Sequence, residues 1–199
     1  MIRTHDETSA ALLSAAHHLL ATEGPDALTV RRIATEASMS TMNVYSRFGG
    51  KDGVIDELYT DGFRRLTAAI DSIPETDDVS ADLLAMATTY RAFAIDNPRY
   101  YDIMFTRWSR EHDTERIGLR GLANFVERLQ RAVDVGGIHL PGGLDAESAA
   151  IYLWASCHGM VSLELNQKAN DEIDWQHVYH RGTAALVTSL AGTRAADPA

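Results

Sequence analysis

The segment LTVRRIATEASMSTMNVYSRFGGK, residues 28–51, decides the fold of this 199-residue chain. Thr29 precedes a short run with apolar residues at helical spacing, and its hydroxyl is suited to cap that helix. Ser40 is placed in the same way before a second run, which ends near Phe48 and is followed by two glycines. Two short helices joined by so few residues predict a helix-turn-helix unit.

Helical signals also precede this unit. Thr4 and Glu7 have the spacing of a capping box, which predicts the start of a first helix. The leucines and alanines that follow recur at the spacing of one helix face. Gly24 and Pro25 then supply a residue suited to a helix end and one that cannot continue the helix. The first helix is therefore predicted to end near Glu23.

The same periodicity continues after the unit. A fourth helix is predicted from about residue 52 to 70, and the polar, acidic stretch 74–78 is the candidate boundary after it. Further helical runs cover 80–96, 98–109, 113–135, 145–169 and 174–192, and residues 193–199 are predicted to be a disordered tail. No strand-like alternation is long enough to predict a sheet. The sequence therefore predicts an all-α fold.

Composition limits the class of protein. Lys and Arg number 18 and Asp and Glu 28, so the net charge is −10 and any surface for a polyanion must be local. A hydrophobic content of 45% is enough for a sizeable core. The single Cys157 excludes an intramolecular disulfide, and no stretch approaches the roughly 20 apolar residues of a membrane span. With no signal-peptide core at the N-terminus, we expect a cytoplasmic protein without a membrane partner.

The sequence carries no convincing catalytic motif. There is no G-x-S-x-G, no GK[ST] after the glycine clusters, no H-E-x-x-H and no cysteine pair for zinc. The Glu-His-Asp run at 111–113 resembles a metal site only in composition, since adjacent residues of a helix point in different directions. We therefore expect no enzyme activity, no metal and no other cofactor.

The order of features in residues 28–51 resembles the DNA-binding signature of the TetR family of transcriptional regulators. The matching features are a Thr-capped helix with Ile-Ala at its centre, a three-residue turn, a short helix starting at Ser40, and then Tyr45, Phe48, Gly49 and Lys51. Ser38 stands where the family usually has Gly, and Asn43 where Thr is frequent. The resemblance implies a DNA-binding domain at 1–53 and a C-terminal effector-binding and dimerisation domain at 54–192, with the fourth helix connecting them.

A helix that enters the major groove presents its first turn to the base edges. The candidate base-reading residues are therefore Thr41, Met42, Asn43 and Ser46. Asn43 is the most informative of them, because an amide can bond both N6 and N7 of adenine. The candidate phosphate contacts are Thr29, Arg32, Tyr45, Arg47 and Lys51. For Tyr45, packing in the small core is the alternative.

Charge is distributed unevenly along the chain. Residues 1–54 contain five Lys and Arg against six Asp and Glu, a net charge of −1, whereas residues 55–199 contain 13 against 22, a net charge of −9. Most of the acidity therefore lies outside the helix-turn-helix. So few cations imply modest DNA affinity for one chain, which favours two copies binding together.

Bulky side chains concentrate on the later helices. The candidate ligand-binding residues are Tyr90, Phe93, Tyr101, Met104, Phe105, Trp108, Trp154 and His158. Residues 97–105 and the Trp-His-Gly positions Trp154, His158 and Gly159 resemble the C-terminal domain of a TetR subgroup named for that pattern. The resemblance implies a small-molecule effector, and the lining predicts a mostly apolar or aromatic one. A packed core without a cavity is the alternative for the same residues.

The runs 145–169 and 174–192 are too apolar for the outer surface of a monomer. Pairing them with a second copy predicts a four-helix interface in a homodimer. The candidate interface residues are Leu153, Val161, Leu165, Leu186, Val187 and Leu190, with burial inside one chain as the alternative. The sequence thus predicts a ligand-responsive repressor on palindromic double-stranded DNA. A DNA-binding protein without an effector and a small-molecule enzyme are the competing hypotheses.

Overall fold

The computed structural model describes residues 6–105, 115–136, 138–167 and 172–190. Within these ranges the chain is all-helical and contains no strand, which confirms the predicted fold class. The helices are α1 Glu7–Glu23, α2 Val30–Glu36, α3 Thr41–Phe48, α4 Lys51–Asp71, α5 Val79–Asp96, α6 Pro98–Phe105, α7 Glu115–Asp134, α8 Ala146–Asn166 and α9 Trp175–Leu190. No helix among the described residues is long and apolar enough to cross a membrane.

The start of α1 differs from the prediction. Asp6 is the N-cap, and its carboxylate accepts a hydrogen bond of 2.8 Å from the backbone N–H of Ser9. Thr4, the predicted capping residue, lies outside the described residues, and Glu7 is the first helical residue instead of the far end of a capping box. The predicted end is confirmed, because α1 stops at Glu23 and Gly24 follows with φ of 92°.

The helix-turn-helix follows the sequence prediction closely. The hydroxyl of Thr29 caps α2 by accepting a hydrogen bond from the backbone N–H of Arg32, and Ser40 is the N-cap residue of α3. Ser38 lies in the connection with φ of 55°, a left-handed conformation that a residue with a Cβ adopts at a cost. This conformation explains physically why a glycine suits that position of the turn.

The contacts divide the described residues into two compact units. The first unit comprises 6–65, 97–105 and 115–117, and the second comprises 66–96, 118–136, 138–167 and 172–190. The first unit therefore includes α6, which lies within the predicted C-terminal domain. The predicted domains 1–53 and 54–192 stay a prediction, since a packing unit and a functional domain are different divisions of a chain.

A close approach between α4 and α6 accounts for the place of α6 in the first unit. A Cβ added at Gly62 would lie 2.8 Å from the sulfur of Met104 and 3.3 Å from the ring of Tyr100. The ring of Phe105 packs edge-on against Phe63 of α4, with centroids 5.4 Å apart. The missing side chain of Gly62 thus lets α6 pack directly on α4.

A buried carboxylate adds polar contacts to the same unit. Asp61 on α4 is 8% exposed and accepts hydrogen bonds from Arg64 and Arg65, and it lies 3.5 Å from the ring nitrogen of His17 on α1. Burial opposes ionisation of Asp61, but the hydrogen bonds from Arg64 and Arg65, together with the charges of Arg65 and His17, hold the pKa of the carboxyl below its ordinary value. The guanidinium of Arg65 also lies over the ring of Tyr100 on α6. These contacts connect α1, α4 and α6.

In the second unit α5, α8 and α9 pack on one another. The hydroxyl of Tyr179 on α9 donates a buried hydrogen bond of 2.7 Å to the carbonyl of Ala87 on α5. Arg91 on α5 forms a two-pronged ion pair with Glu164 on α8, with distances of 2.9 Å and 2.6 Å. Polar contacts as well as apolar packing therefore fix the three helices against each other.

Candidate DNA interface and ligand site

The outer face of α3 carries the features of a binding surface. Val44 and Phe48 are buried, which fixes how the helix sits in the first unit. Met42 is 70% exposed and Tyr45 is 53% exposed, so two large apolar side chains face outward from one short helix. Thr41 and Ser46 are exposed beside them, and Asn43 is half-buried. The exposure of Tyr45 overturns the alternative that its ring belongs to the small core.

Tyr45 has a defined position on this face. Its ring lies 3.5 Å from the point where a Cβ of Gly50 would be, and Gly50 has φ of 132°. The positive φ at residue 50 therefore suits glycine, whereas the distance to the ring of Tyr45 is an ordinary contact distance for a Cβ. The phenol thus lies beside Gly50 and remains exposed.

Two predicted phosphate contacts are engaged within the first unit. The guanidinium of Arg32 donates to both carboxylate oxygens of Glu23, at 2.8 Å and 2.5 Å. The guanidinium of Arg47 donates to both oxygens of Asp6, at 3.2 Å and 2.8 Å. The bonds from Arg47 and from the N–H of Ser9 hold the pKa of the Asp6 carboxyl well below its usual range, so Asp6 is ionised at neutral pH.

Arg31, which was not among the predicted phosphate contacts, is exposed on α2 next to Arg32. Within the described part of the chain neither Arg31 nor Lys51 forms an ion pair, and Lys51 is exposed at the first position of α4. Among the predicted phosphate contacts and their neighbour Arg31, the described cations without an ion-pair partner are thus Arg31 and Lys51. Adjacent arginines look equivalent in a sequence, and only the position of Glu23 distinguishes them.

The second unit brings together three of the predicted ligand-binding residues. The hydroxyl of Tyr90 lies 3.1 Å from Nδ1 of His158, whose Nε2 lies 3.4 Å from the hydroxyl of Ser162. Trp154 packs one helical turn away, with its ring centroid 6.2 Å from the imidazole. Burial lowers the pKa of His158, so the neutral imidazole predominates at neutral pH. Tyr90 and Ser162 thus give His158 hydrogen-bond partners inside the protein.

The remaining candidates for the ligand site are distributed differently. Phe93 is half-buried on α5 in the second unit. Tyr101, Met104 and Phe105 lie in the first unit, where Tyr101 and Phe105 pack with centroids 4.7 Å apart. Trp108 and the 111–113 run lie outside the described residues. The predicted lining therefore falls into two groups, one in each unit.

The second unit also contains a polar cleft that the sequence did not indicate. Its volume is about 450 Å³, and it is lined by Asp71, Glu75, Asn124, Glu127, Arg128 and Arg131. Arg128 donates to the carbonyl of Ile73, and Arg131 pairs with Glu75. These side chains come from the end of α4, the segment after it and α7, which are far apart in sequence, so no local motif reveals the cleft. Among the described residues no group of His, Cys, Asp and Glu is arranged to hold a metal ion.

Four of the six predicted interface residues are already buried inside the chain. Leu153, Val161, Val187 and Leu190 are at most 2% exposed, so they are not available to a partner, which corrects the prediction for them. Leu165 and Leu186 are half-buried. The large apolar side chains that α8 and α9 expose are instead Ile151, Tyr152, Leu163 and Val178, at 42–52%. The same helices thus carry an outward apolar face built from other residues.

Two family models match the chain. The model described as bacterial regulatory proteins, tetR family, matches residues 12–58, which contain α2, α3 and most of α1. The model described as tetracyclin repressor-like, C-terminal domain, matches residues 83–186, more than half of the chain. An uncharacterised HTH-type transcriptional regulator from Bacillus subtilis, YdeS, is 38% identical over 94 residues. That match spans 46% of this chain and 44% of YdeS, less than half of either protein.

Solved structures share the fold. A protein of unknown function from Rhodococcus sp. RHA1 superposes with a TM-score of 0.80 at 24% identity, over 96% of this chain and all of that one. The fatty acid degradation regulator FadR from Bacillus halodurans gives 0.71 at 19% identity, over 96% and 98% of the two chains. FadR from Bacillus subtilis, solved with stearoyl-CoA, gives 0.73 at 17% identity, over 90% and 98%. At these identities the likeness establishes the fold alone.

Proposed function

Since the chain belongs to the tetracycline repressor-like family of bacterial regulatory proteins and is a transcriptional regulator, we propose that it is a cytoplasmic repressor which binds a palindromic operator as a homodimer. A small, mostly apolar or aromatic effector releases it from DNA. The observation that carries this proposal is the outward face of α3, where Met42 and Tyr45 are exposed beside Thr41 and Ser46. Such a face suits base edges in a major groove.

The proposed contacts follow from this face. Four residues read bases: Thr41, Met42, Asn43 and Ser46. The residues that contact phosphates are Thr29, Tyr45 and Lys51, to which the structure adds Arg31 as a candidate. Arg32 and Arg47 reach phosphates only by exchanging Glu23 and Asp6 for them. The subgroup named for its Trp-His-Gly pattern remains a proposal, supported by Trp154, His158 and Gly159.

DNA recognition is tested with three variants of the protein, each measured on an operator that is obtained by binding-site selection. Lys51→Ala is expected to weaken binding to all duplexes alike and to reduce the slope of log affinity against log salt by about 0.9 per chain. Tyr45→Phe is expected to weaken all duplexes without changing the slope, because it removes a neutral donor. Asn43→Ala is expected to cost about 1–3 kcal/mol at one base position only. Fluorescence anisotropy at several salt concentrations measures each effect.

Arg131→Gln is the control for Lys51→Ala, because it removes one positive charge from the second unit and should leave the slope unchanged. A binding-site selection that enriches no motif, together with variants that behave like the wild type, would contradict the proposal.

The proposed dimer uses the outward face of α8 and α9. Ile151, Ala155, Gly159 and Leu163 recur every four residues on α8, and all four are exposed. Val178 on α9 adds another exposed apolar side chain. A twofold axis would bury both copies of this face in one four-helix interface.

Effector control is tested with a ligand screen. We propose that the effector contacts Tyr90, Phe93, Trp154 and His158 of the second unit, and that Tyr101, Met104, Phe105 and Trp108 are secondary candidates. Because the Bacillus subtilis FadR structure contains stearoyl-CoA, the thermal-shift screen includes stearoyl-CoA beside small aromatic compounds. A compound that stabilises the protein is then titrated into the operator complex.

A true effector is expected to lower operator affinity by about 5–150-fold, the usual range of coupling between two sites. Trp154→Leu is expected to weaken binding of that compound, and Phe105→Leu shows whether the aromatic group of the first unit takes part. A compound that binds the second unit and leaves operator affinity unchanged would contradict its role as effector.

A further inference from the structure

In the first unit, two carboxylates form ion pairs with arginines of the proposed DNA surface. Asp6 lies before α1 and binds Arg47 at the end of α3, across 41 residues of sequence. Glu23 is the last residue of α1 and binds Arg32 on α2, nine residues away. Both contacts are two-pronged and both involve partly exposed side chains. The two ends of α1 thus each bring an anion to one arginine of the helix-turn-helix.

A carboxylate and a phosphate present similar pairs of acceptor oxygens to a guanidinium. Each offers two anionic oxygens that accept two parallel N–H bonds, which is why arginine binds both well. The side of Arg47 that holds Asp6, and the side of Arg32 that holds Glu23, are therefore the sides that a phosphate would use. While these pairs persist, neither arginine contributes a free positive charge toward DNA.

The ion pairs affect the electrostatic contribution to DNA affinity, which does not depend on base sequence. Each phosphate that a cation neutralises releases counterions and contributes to the salt dependence of binding. An arginine that must first leave a carboxylate contributes less to counterion release and less to the salt dependence. Because exposed ion pairs are weak, the carboxylates compete with phosphates without blocking them.

We propose that Asp6 and Glu23 are affinity-setting residues of the DNA surface: each carboxylate occupies the phosphate-binding side of an arginine and lowers the affinity of the regulator for DNA of any sequence. The inference rests on the proposed function, since it needs Arg32 and Arg47 to face the DNA backbone. It assigns two acidic residues a role in DNA binding that the count of cations alone does not reveal.

The test uses Asp6→Asn and Glu23→Gln in the full chain. Asparagine is as good an N-cap as aspartate, so Asp6→Asn keeps the cap of α1 while it removes the charge and one of the two oxygens that accept from Arg47. Each variant is expected to bind a random-sequence duplex roughly threefold to tenfold more tightly near 0.1 M salt, and to steepen the salt slope by about 0.9 per chain. Glu75→Gln is the matched control, because it removes the same charge from an exposed ion pair of the second unit and should leave the slope unchanged.

A double variant identifies the arginine through which Asp6 acts. In the Arg47→Gln background, Asp6→Asn is expected to leave both the affinity and the slope unchanged. Equal effects of Asp6→Asn with and without Arg47 would overturn the inference, because they would show a general charge effect. An unchanged or shallower slope in both single variants would overturn it as well.

The failure of this inference differs from failure of the proposed function. If Lys51→Ala reduces the salt slope while the two carboxylate variants do not change it, DNA binding stands and the competition is rejected. If the wild type binds no duplex at all, the proposed function fails first and the inference falls with it.

Discussion

Leu163→Asp is expected to leave the protein as a 21.9 kDa monomer and to weaken operator binding by at least about 100-fold. Leu163 is 52% exposed on the outward face of α8, so the change does not disturb the core of one chain. In a twofold interface the substitution occurs twice, and each buried carboxylate lacks a partner. The helix-turn-helix of one chain then has to bind DNA without that of a second chain.

Light scattering measures the mass and anisotropy measures the operator affinity. Ala92→Asp on α5 is the control, since it places the same charge at another exposed position of the second unit. A wild-type protein that is monomeric at micromolar concentration would refute the proposed dimer. A dimer that persists in the Leu163→Asp variant would refute this face as its interface.

Arg91→Leu is expected to lower the free energy of unfolding by about 3–5 kcal/mol, because it leaves the largely enclosed carboxylate of Glu164 without its ionic partner. The two side chains are only 18% and 12% exposed, and the guanidinium also lies 5.7 Å from the ring of Tyr179. Replacing both members of a buried pair by apolar residues is far less costly than replacing one. The double variant Arg91→Leu with Glu164→Leu is therefore expected to recover most of the loss.

Urea unfolding followed by circular dichroism gives the free energies for this cycle. Arg131→Leu at the exposed pair with Glu75 is the comparison, and its expected cost is at most about 1 kcal/mol. Two single variants whose losses simply add in the double variant would show that Arg91 and Glu164 do not stabilise the fold as a pair.

The fold was predictable where local chemistry decides it. Thr29 and Gly24 mark helix ends through hydrogen bonds within a few residues, and Ser40 is the N-cap residue of α3 although its hydroxyl makes no capping bond. The start of α1 was mispredicted because Thr4 and Asp6 are both good caps by type. Asp6 also binds Arg47, a contact across 41 residues that no local pattern contains.

Helical periodicity left two questions undecided. It gives the apolar face of α6 but not the helix against which that face packs, so its place in the first unit depends on the space beside Gly62. On α8 apolar residues occur around most of the helix. The pattern therefore does not distinguish Leu153, which faces the core, from Leu163, which faces outward.

The burial of Cys157 makes this chain well suited to site-directed spectroscopy. It is the sole cysteine of the sequence, it is 4% exposed, and burial raises the pKa of its thiol, so it reacts slowly with alkylating reagents. A cysteine introduced at the exposed Ser14 of α1 would then take a nitroxide label without any change to the native residue. In a symmetric pair of chains, pulsed electron paramagnetic resonance measures the one distance between the two labels. That distance reports directly whether a bound compound moves the two helix-turn-helix units apart.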